Sequence, residues 1–264
     1  LDLVRGEWRT YTQAIQAPGE YIAGDQTNHT LFEQSAVNLE ENSNRNPVPY
    51  VIPPGIYQEV YTGTLSTIRQ NEQALQLSVE NLVDGDARAV YKSTSFDFRY
   101  YQKLRMFIHA EKMYEYDNME DGDLTVFLRF GSDLTDNYYE YEVPLKFTDW
   151  NTSSTDDFAI WPEENNIEID FEELVEVKNN RNRSIGKNNV QSNRIYTETS
   201  GKNKIKVLGN PTISEVRSMM IGIRNPKAHA NQRITREDAV RKLHFASLLM
   251  YKVDQAINNT GIIE

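Results

Sequence analysis

The sequence predicts a mainly β fold, specifically a jelly-roll-like antiparallel β-sandwich with one short internal helix and a C-terminal amphipathic helix. Several segments alternate apolar and polar residues with a period of two, which is typical of half-buried strands. Asp-Gly and Gly-Ser turns separate these segments. Helical spacing of apolar residues occurs in two stretches, so helices are the minor component.

The strand pattern begins at Leu75, which shares one face with Leu77 and Val79, while Gln76 and Ser78 face the other way. Residues 104–110 and 124–130 repeat the alternation with one apolar face each. Residues 138–147 alternate again, and residues 216–223 are apolar on both faces, as expected for a strand covered on both sides. These segments form the predicted sandwich domain, residues 62–227.

One helix is expected after residue 170. Asp170 is placed as an N-cap and Glu173 as its capping-box partner. Phe171, Leu174, Val175 and Lys178 would share one helical face. The following residues, 178–204, are rich in Asn, Arg, Ser and Lys and poor in large apolar residues, and therefore predict a mobile loop.

The two ends differ from the sandwich in composition. Residues 1–61 are polar and rich in Pro-containing turns, which predicts an extended arm laid over a neighbouring surface. Residues 228–264 predict an amphipathic helical tail, with Thr235 as its cap and an apolar stripe for contact with a partner. The stripe residues are Leu243, Met250, Val253 and Ile257.

Composition restricts the function. The formal net charge of -11 and the pI near 5.0 disfavour nucleic acid and an anionic membrane surface as partners. Neutral or basic protein surfaces fit this charge better. The absence of cysteine excludes disulfides, thiolate chemistry and Cys-type zinc sites. No apolar run is long enough for a spanning helix, and the first residues lack a signal-peptide pattern. The sequence begins with Leu1 and not with Met, so we expect a fragment of a longer protein.

Several motifs, taken in order, resemble one known family. They are the segments 51–56 (VIPPGI), 71–75 (NEQAL), 84–92 (DGDARAVYK), 131–133 (GSD), 137–146 (NYYEYEVPLK), 161–165 (WPEEN), 209–211 (GNP) and 220–226 (MIGIRNP). Together they resemble the SprA/Sov family, the outer-membrane translocons of the type IX secretion system. The resemblance runs from residue 1 to about residue 227, and the predicted helical tail departs from it.

The resemblance implies a function without catalysis. In that family a very large transmembrane β-barrel exports folded proteins and carries soluble insertions, and this chain would be one such insertion. The expected role is capping, cargo guidance or partner docking in protein export and gliding motility. The expected partners are other parts of the parent barrel, type IX secretion subunits or cargo, with the membrane reached only through the barrel. The expected location is the outer membrane, on the cell surface or the periplasmic side.

Chemical alternatives are weak. Glu140 and Glu142 lie about 7 Å apart on one strand face, near the separation of an inverting glycosidase, but a solvated strand face is the favoured interpretation. The four histidines are scattered without zinc-site spacing, so we expect no catalytic or metal-binding role for them. Calcium is the best metal candidate, because acidic residues lie in turns where carbonyl oxygens can join them. These are Asp84, Asp86, Asp121, Asp123, Asp133 and Asp136.

An alternative function is that of a cell-surface carbohydrate-binding module. Tyr138, Trp150 and Trp161 are the candidate exposed aromatic platform for stacking on sugar rings. Tyr139 and Tyr141 are instead expected in the core. The sandwich fold alone does not choose between a translocon domain and a carbohydrate-binding module, since such folds host many functions.

Overall fold

The structure is a computed structural model, and it describes residues 8–12, 15, 30–58, 60–62, 67–69, 71–82, 85–186, 194–226 and 242–251. Its strands are β1 Arg9–Thr10, β2 Leu31–Asn38, β3 Val60–Thr62, β4 Thr67–Arg69, β5 Gln73–Glu80, β6 Ala87–Phe96, β7 Lys103–Ile108, β8 Glu111–Lys112, β9 Thr125–Gly131, β10 Tyr138–Pro144, β11 Ile167–Asp170, β12 Tyr196–Ser200, β13 Asn203–Leu208, β14 Val216–Arg224 and β15 Lys242–Tyr251. The α-helices are α1 Leu39–Asn42, α2 Asp157–Ile160 and α3 Phe171–Ile185.

Two antiparallel sheets make up the domain. One sheet has seven strands in the order β1-β6-β14-β9-β10-β13-β12. The other has six strands, in the order β11-β7-β15-β5-β2, with β8 paired to β15. A separate hairpin joins β3 and β4. The mainly β prediction is therefore confirmed, while the jelly-roll connectivity stays a prediction.

A single hydrophobic core lies between the two sheets. From the six-stranded sheet it takes alternate residues of β5, β7 and β11, including Leu77, Met106 and Ile169. From the seven-stranded sheet the core takes the inward-facing alternate residues of β9 and β10, including Leu128 and Tyr139. Because side chains alternate across a strand, this assignment sends residues 127, 129, 140 and 142 to the outer face of the seven-stranded sheet.

Helix α3 closes one side of the sandwich. Asp170 caps it by accepting a hydrogen bond from the Glu172 backbone N–H. Its buried face carries Phe171, Leu174, Val177 and Arg181. Val175, which we predicted on this face, is 39% exposed. The buried positions follow the series i, i+3, i+6 and i+10. The buried stripe therefore contains Val177 and not the predicted Val175.

The predicted mobile loop over residues 178–204 is largely wrong. Helix α3 continues to Ile185, and the hairpin of β12 and β13 starts at Tyr196. Residues 187–193 lie outside the described residues. Polar composition misled the prediction, because a helix needs only one apolar stripe and an edge hairpin is stabilised mainly by backbone hydrogen bonds.

The predicted extended arm, residues 1–61, covers its own domain rather than a neighbour, within its described part. Strand β1 pairs with β6, and β2 pairs with β5 over its whole length. Residues 48–56 then pack on the outer face of the six-stranded sheet, where Val48 and Tyr50 join Trp161 in a second apolar cluster. The boundary at residue 61 is therefore not a structural boundary.

The predicted C-terminal helix is also wrong. Residues 242–251 form β15, which lies between β5 and β7 in the six-stranded sheet. Two of the predicted stripe residues, Leu243 and Met250, are in this strand, whereas Val253 and Ile257 lie outside the described residues. The segment has three-and-four spacing of apolar residues, but it also contains the apolar run 248–251. Pairing with strands on both sides favours the β conformation.

Candidate functional site

The predicted calcium ligands occupy separate turns. In the turn before β10, Asp133 accepts hydrogen bonds from the backbone N–H groups of Thr135, Asp136 and Asn137. These bonds and the Asn137 side chain outweigh burial and lower the pKa of Asp133. The described part of the chain contains no group of three or more acidic or histidine side chains placed to hold one metal ion.

The remaining turn carboxylates also have local partners. Asp121 accepts a hydrogen bond from the Phe147 N–H at 2.8 Å, and Asp123 accepts one from the Glu120 N–H at 3.0 Å. Asp86 forms an ion pair with Arg88 at 2.6 Å. Asp84 lies outside the described residues. These contacts account for the acidic turns by backbone capping, and calcium stays an untested prediction.

The predicted aromatic platform does not form. Tyr138 is 1% exposed and is covered by the Arg129 guanidinium, 4.0 Å from its ring centre. Trp161 is 2% exposed and packs edge-on against Tyr50. Trp150 is half-buried, and its Nε1 donates to the Lys112 carbonyl. The expected core positions of Tyr139 and Tyr141 are confirmed.

Glu140 and Glu142 form the centre of a buried charged network, not the solvated strand face that we predicted. Glu140 on β10 lies opposite Arg129 on β9 and opposite Lys206 on β13. Arg129 donates to one carboxylate oxygen of Glu140 from Nε at 2.9 Å and from Nη2 at 2.6 Å. Lys206 donates to the other oxygen at 3.1 Å. The cross-strand register thus brings opposite charges together.

Two cations connect the glutamates to each other. Lys206 Nζ lies 2.7 Å from Glu142 and 3.1 Å from Glu140. Arg224, at the end of β14, donates to Glu140 at 2.8 Å and also donates to Glu142. The five residues of this network, Arg129, Glu140, Glu142, Lys206 and Arg224, are all at most 8% exposed. Three positive and two negative charges are therefore held in a largely dry layer.

An aromatic ring packs against one cation of the network. The Arg224 guanidinium lies over the Phe127 ring, 4.6 Å from its centre. That ring rests on Gly222, where an added Cβ would lie 2.6 Å from the Phe127 ring and 2.4 Å from the Arg88 carbonyl. Glycine at position 222 is thus required by the close approach of an aromatic ring.

The network fixes both glutamates in the ionised form. Burial opposes ionisation of Glu140, but Arg224, Arg129 and Lys206 outweigh it and hold its pKa well below the ordinary value. Burial opposes ionisation of Glu142 as well, and Arg224 and Lys206 still lower its pKa. A general acid needs the opposite shift, so the environment of these carboxylates does not favour the glycosidase alternative.

A second ion pair, between the partly buried Arg45 and the buried Glu111, connects the N-terminal part of the chain to the sandwich. Arg45 donates two hydrogen bonds, of 2.6 and 2.9 Å, to the carboxylate of Glu111. Glu111 also contacts His109, whose other ring nitrogen lies 2.7 Å from the Ile160 carbonyl. Burial opposes ionisation of Glu111, but His109 and Arg45 overcome it and lower the pKa. Both ring nitrogens of His109 thus have partners within the fold.

A groove of about 260 Å³ lies on the outer side of β7 and β11. Its walls include Pro54, Phe107, Phe158 and Trp161. Phe158, on α2, is 70% exposed and forms part of the groove wall. The groove therefore offers an uncovered aromatic side chain beside an apolar wall.

Polar groups line the same groove. Glu168 forms ion pairs with Lys103 at 2.9 Å and with Arg105 at 3.0 Å, and all three side chains are more than a third exposed. The Oδ1 atom of Asn166 is buried and has no hydrogen-bond partner among the described residues. The groove thus combines an apolar wall with a charged rim.

Sequence reasoning missed the charged network and the groove for different reasons. The network had a signal, because a hairpin closed by residues 132–137 places residue 129 opposite residue 140. The groove had none, since Phe158 and Asn166 meet Phe107 only after β7 and β11 have paired.

Together, the two sheets and the hydrophobic core between them define a β-sandwich domain. Residues 1–262 match the SprA_N family model, described as motility related/secretion protein, and the chain belongs to that family. The match extends beyond residue 227, so the departure we predicted there is wrong. No curated protein gives a significant match. No helix among the described residues is long and apolar enough to cross a membrane.

Proposed function

We propose that this domain is a non-catalytic docking module of a type IX secretion outer-membrane translocon, where it contributes to protein export and gliding motility. Family membership supports the motility and secretion role. The observation that carries the docking role is the groove with its 70% exposed Phe158. Capping of the pore and guidance of cargo are the alternative uses of the same surface.

The expected occupant of the groove is a loop of the parent barrel or of a secretion subunit that presents an apolar side chain. Phe158 and Phe107 would bury that side chain, and burial of a large apolar group stabilises a complex by about 1.5–3 kcal/mol. Glu168 and Arg105 would pair with charges at the edge of the same loop. The outer membrane is the proposed location.

The experiment introduces Phe158→Asp into the parent protein and measures export of type IX cargo. Tyr100→Asp is the matched control, because Tyr100 is also an aromatic residue, 76% exposed, and does not line the groove. We expect export to fall with Phe158→Asp and to remain normal with Tyr100→Asp, at equal outer-membrane levels of both variants. Normal export with both substitutions would contradict the docking role of the groove.

A carbohydrate-binding module remains the second candidate on one observation. Tyr114 and Tyr116 stack with their ring centres 5.5 Å apart, and Tyr116 is 80% exposed. Exposed stacked aromatic rings are suited to contact with sugar faces.

A further inference from the structure

Among the described residues, strand β2 is the outermost strand of the six-stranded sheet, and its Gln34 side chain donates to the Trp8 carbonyl at 2.9 Å. It pairs with β5 on one side over all eight of its residues, Leu31 to Asn38. Within the described part of the chain, no strand pairs with its other side. Glu33, Gln34, Ser35 and Ala36 are all exposed, and Leu31 is 59% exposed. The free edge is roughly 26 Å long at about 3.3 Å per residue.

The phase of the pairing identifies the backbone groups on the free edge. Leu39 donates its backbone N–H to the Glu72 carbonyl, one step beyond the strand in the same register. Hydrogen-bonded pairs alternate in an antiparallel ladder, so residues 31, 33, 35 and 37 bond to β5. The backbone groups of Phe32, Gln34, Ala36 and Asn38 therefore point outward.

An independent contact confirms this phase. The Asn38 backbone N–H does not donate to β5. It donates instead to Asn42 Oδ1 at 3.0 Å. Phe32, Gln34 and Ala36 have no such side-chain cap on their backbone N–H groups among the described contacts. Three donors and three acceptors thus stand in a row, in the spacing that another strand requires.

Among the described residues, β2 carries one charged side chain, Glu33, and few other protections of a sheet edge. Natural edge strands carry Lys, Pro, a bulge or a cover. The sequence of β2, LFEQSAVN, has neither Lys nor Pro, and its register with β5 is unbroken. The opposite side of the sandwich is different, since α3 packs there against β11 and β13 with its buried Phe171 and Leu174.

The charges around the edge indicate the occupant. Glu33, Glu40 and Glu41 are exposed along β2 and α1, and residues 30–44 contain no Lys or Arg. A basic strand would be attracted to this edge, whereas a second copy of the chain would bring the same acidic residues and a net charge of -11. Electrostatic complementarity therefore selects a different, basic polypeptide.

We propose that the free edge of β2 is a strand-addition site for an extended, basic segment of another polypeptide. The segment pairs with the backbone of Phe32, Gln34 and Ala36 and places Lys or Arg side chains beside Glu33. This site goes beyond the proposed docking groove, because it lies on a different strand and recognises backbone hydrogen bonds. The test of this site measures hydrogen exchange of the β2 amides, so its outcome is independent of the export measured with the Phe158 variant.

The test uses the full chain and an eight-residue capped peptide that alternates Lys with Val, and the matched peptide that alternates Glu with Val. We expect the Lys peptide to bind and to slow amide hydrogen exchange at Phe32, Gln34 and Ala36. Ala36→Pro removes one outward N–H and leaves the β5 ladder intact, so binding should weaken at least about tenfold. Glu33→Lys, which changes only an exposed side chain, should also weaken it and serves if the proline variant does not fold.

Three results would overturn the proposal. The first is no binding of the Lys peptide at about 1 mM, the limit for a weak specific complex. The second is equal binding of the Glu peptide, or protection of amides outside β2. The third is dimerisation of the chain in sedimentation experiments that Ala36→Pro abolishes, which would assign the edge to a second copy.

Discussion

Arg224 donates a hydrogen bond of 2.8 Å to Glu140, although the two residues are 84 positions apart in the sequence. Arg224 ends β14 and Glu140 lies in β10, with β9 between these two strands. The contact is therefore made across a strand by a long side chain lying over Phe127. It joins three neighbouring strands on a face that has no part in the main core.

Replacing Glu140 by Ala should destabilise the domain strongly. The substitution leaves Arg129, Lys206 and Arg224 buried with a single anion, Glu142, among them. Breaking a buried ion pair from one side costs about 3–5 kcal/mol. Urea unfolding followed by circular dichroism measures the change. Glu168→Ala is the control, since its partners are solvent-exposed, and a similar loss in both variants would contradict a special role for the network.

Acid should weaken the fold through the same carboxylates. The pKa of Glu140 and that of Glu142 are lowered in the folded protein, so their contribution is complete above the pKa of an unfolded glutamate, about 4.3. As the pH falls below that value, the unfolded chain takes up protons first and stability declines. Tm measured from pH 6 to pH 3 should fall most steeply below about pH 4.3. A flat profile would show that the glutamates are not held ionised.

Truncation after residue 227 should abolish the β-sandwich. It removes β15, which pairs with both β5 and β7 and so connects the two halves of the six-stranded sheet. The far-UV circular dichroism signal of strands should be lost. Truncation after residue 251 is the control, because it retains every described strand. A fully folded protein ending at residue 227 would contradict the central position of β15.

The carbohydrate-binding alternative makes a separate prediction. If Tyr114 and Tyr116 stack on sugars, affinity electrophoresis in gels containing cell-surface polysaccharide should retard the chain, and Tyr116→Ala should remove the retardation. Phe158→Ala is the control, since Phe158 is an exposed aromatic residue in the other surface. Equal mobility of all three proteins in every polysaccharide would remove this alternative.

The fold was predictable where one face of a strand is apolar and the other polar. Leu75, Leu77 and Val79 alternate strictly, and all three lie in the core between the sheets. The candidate sites were less predictable. Glu140 and Glu142 have the pattern of a solvated face, and only the packing of further residues such as Leu134 and Met220 on the outer side of the sheet encloses that face.

The sequence by itself determined the strand periodicity, the core residues of β5, β7, β9 and β10, and the cap of α3 at Asp170, because these depend on local spacing of apolar and capping residues. Only the tertiary structure decided that residues 242–251 are a strand and that Glu140 is buried among three cations. Both depend on partners far away in the chain. Backbone pairing with β5 and β7 overrides a weak helical pattern, and cross-strand register sets which charges meet.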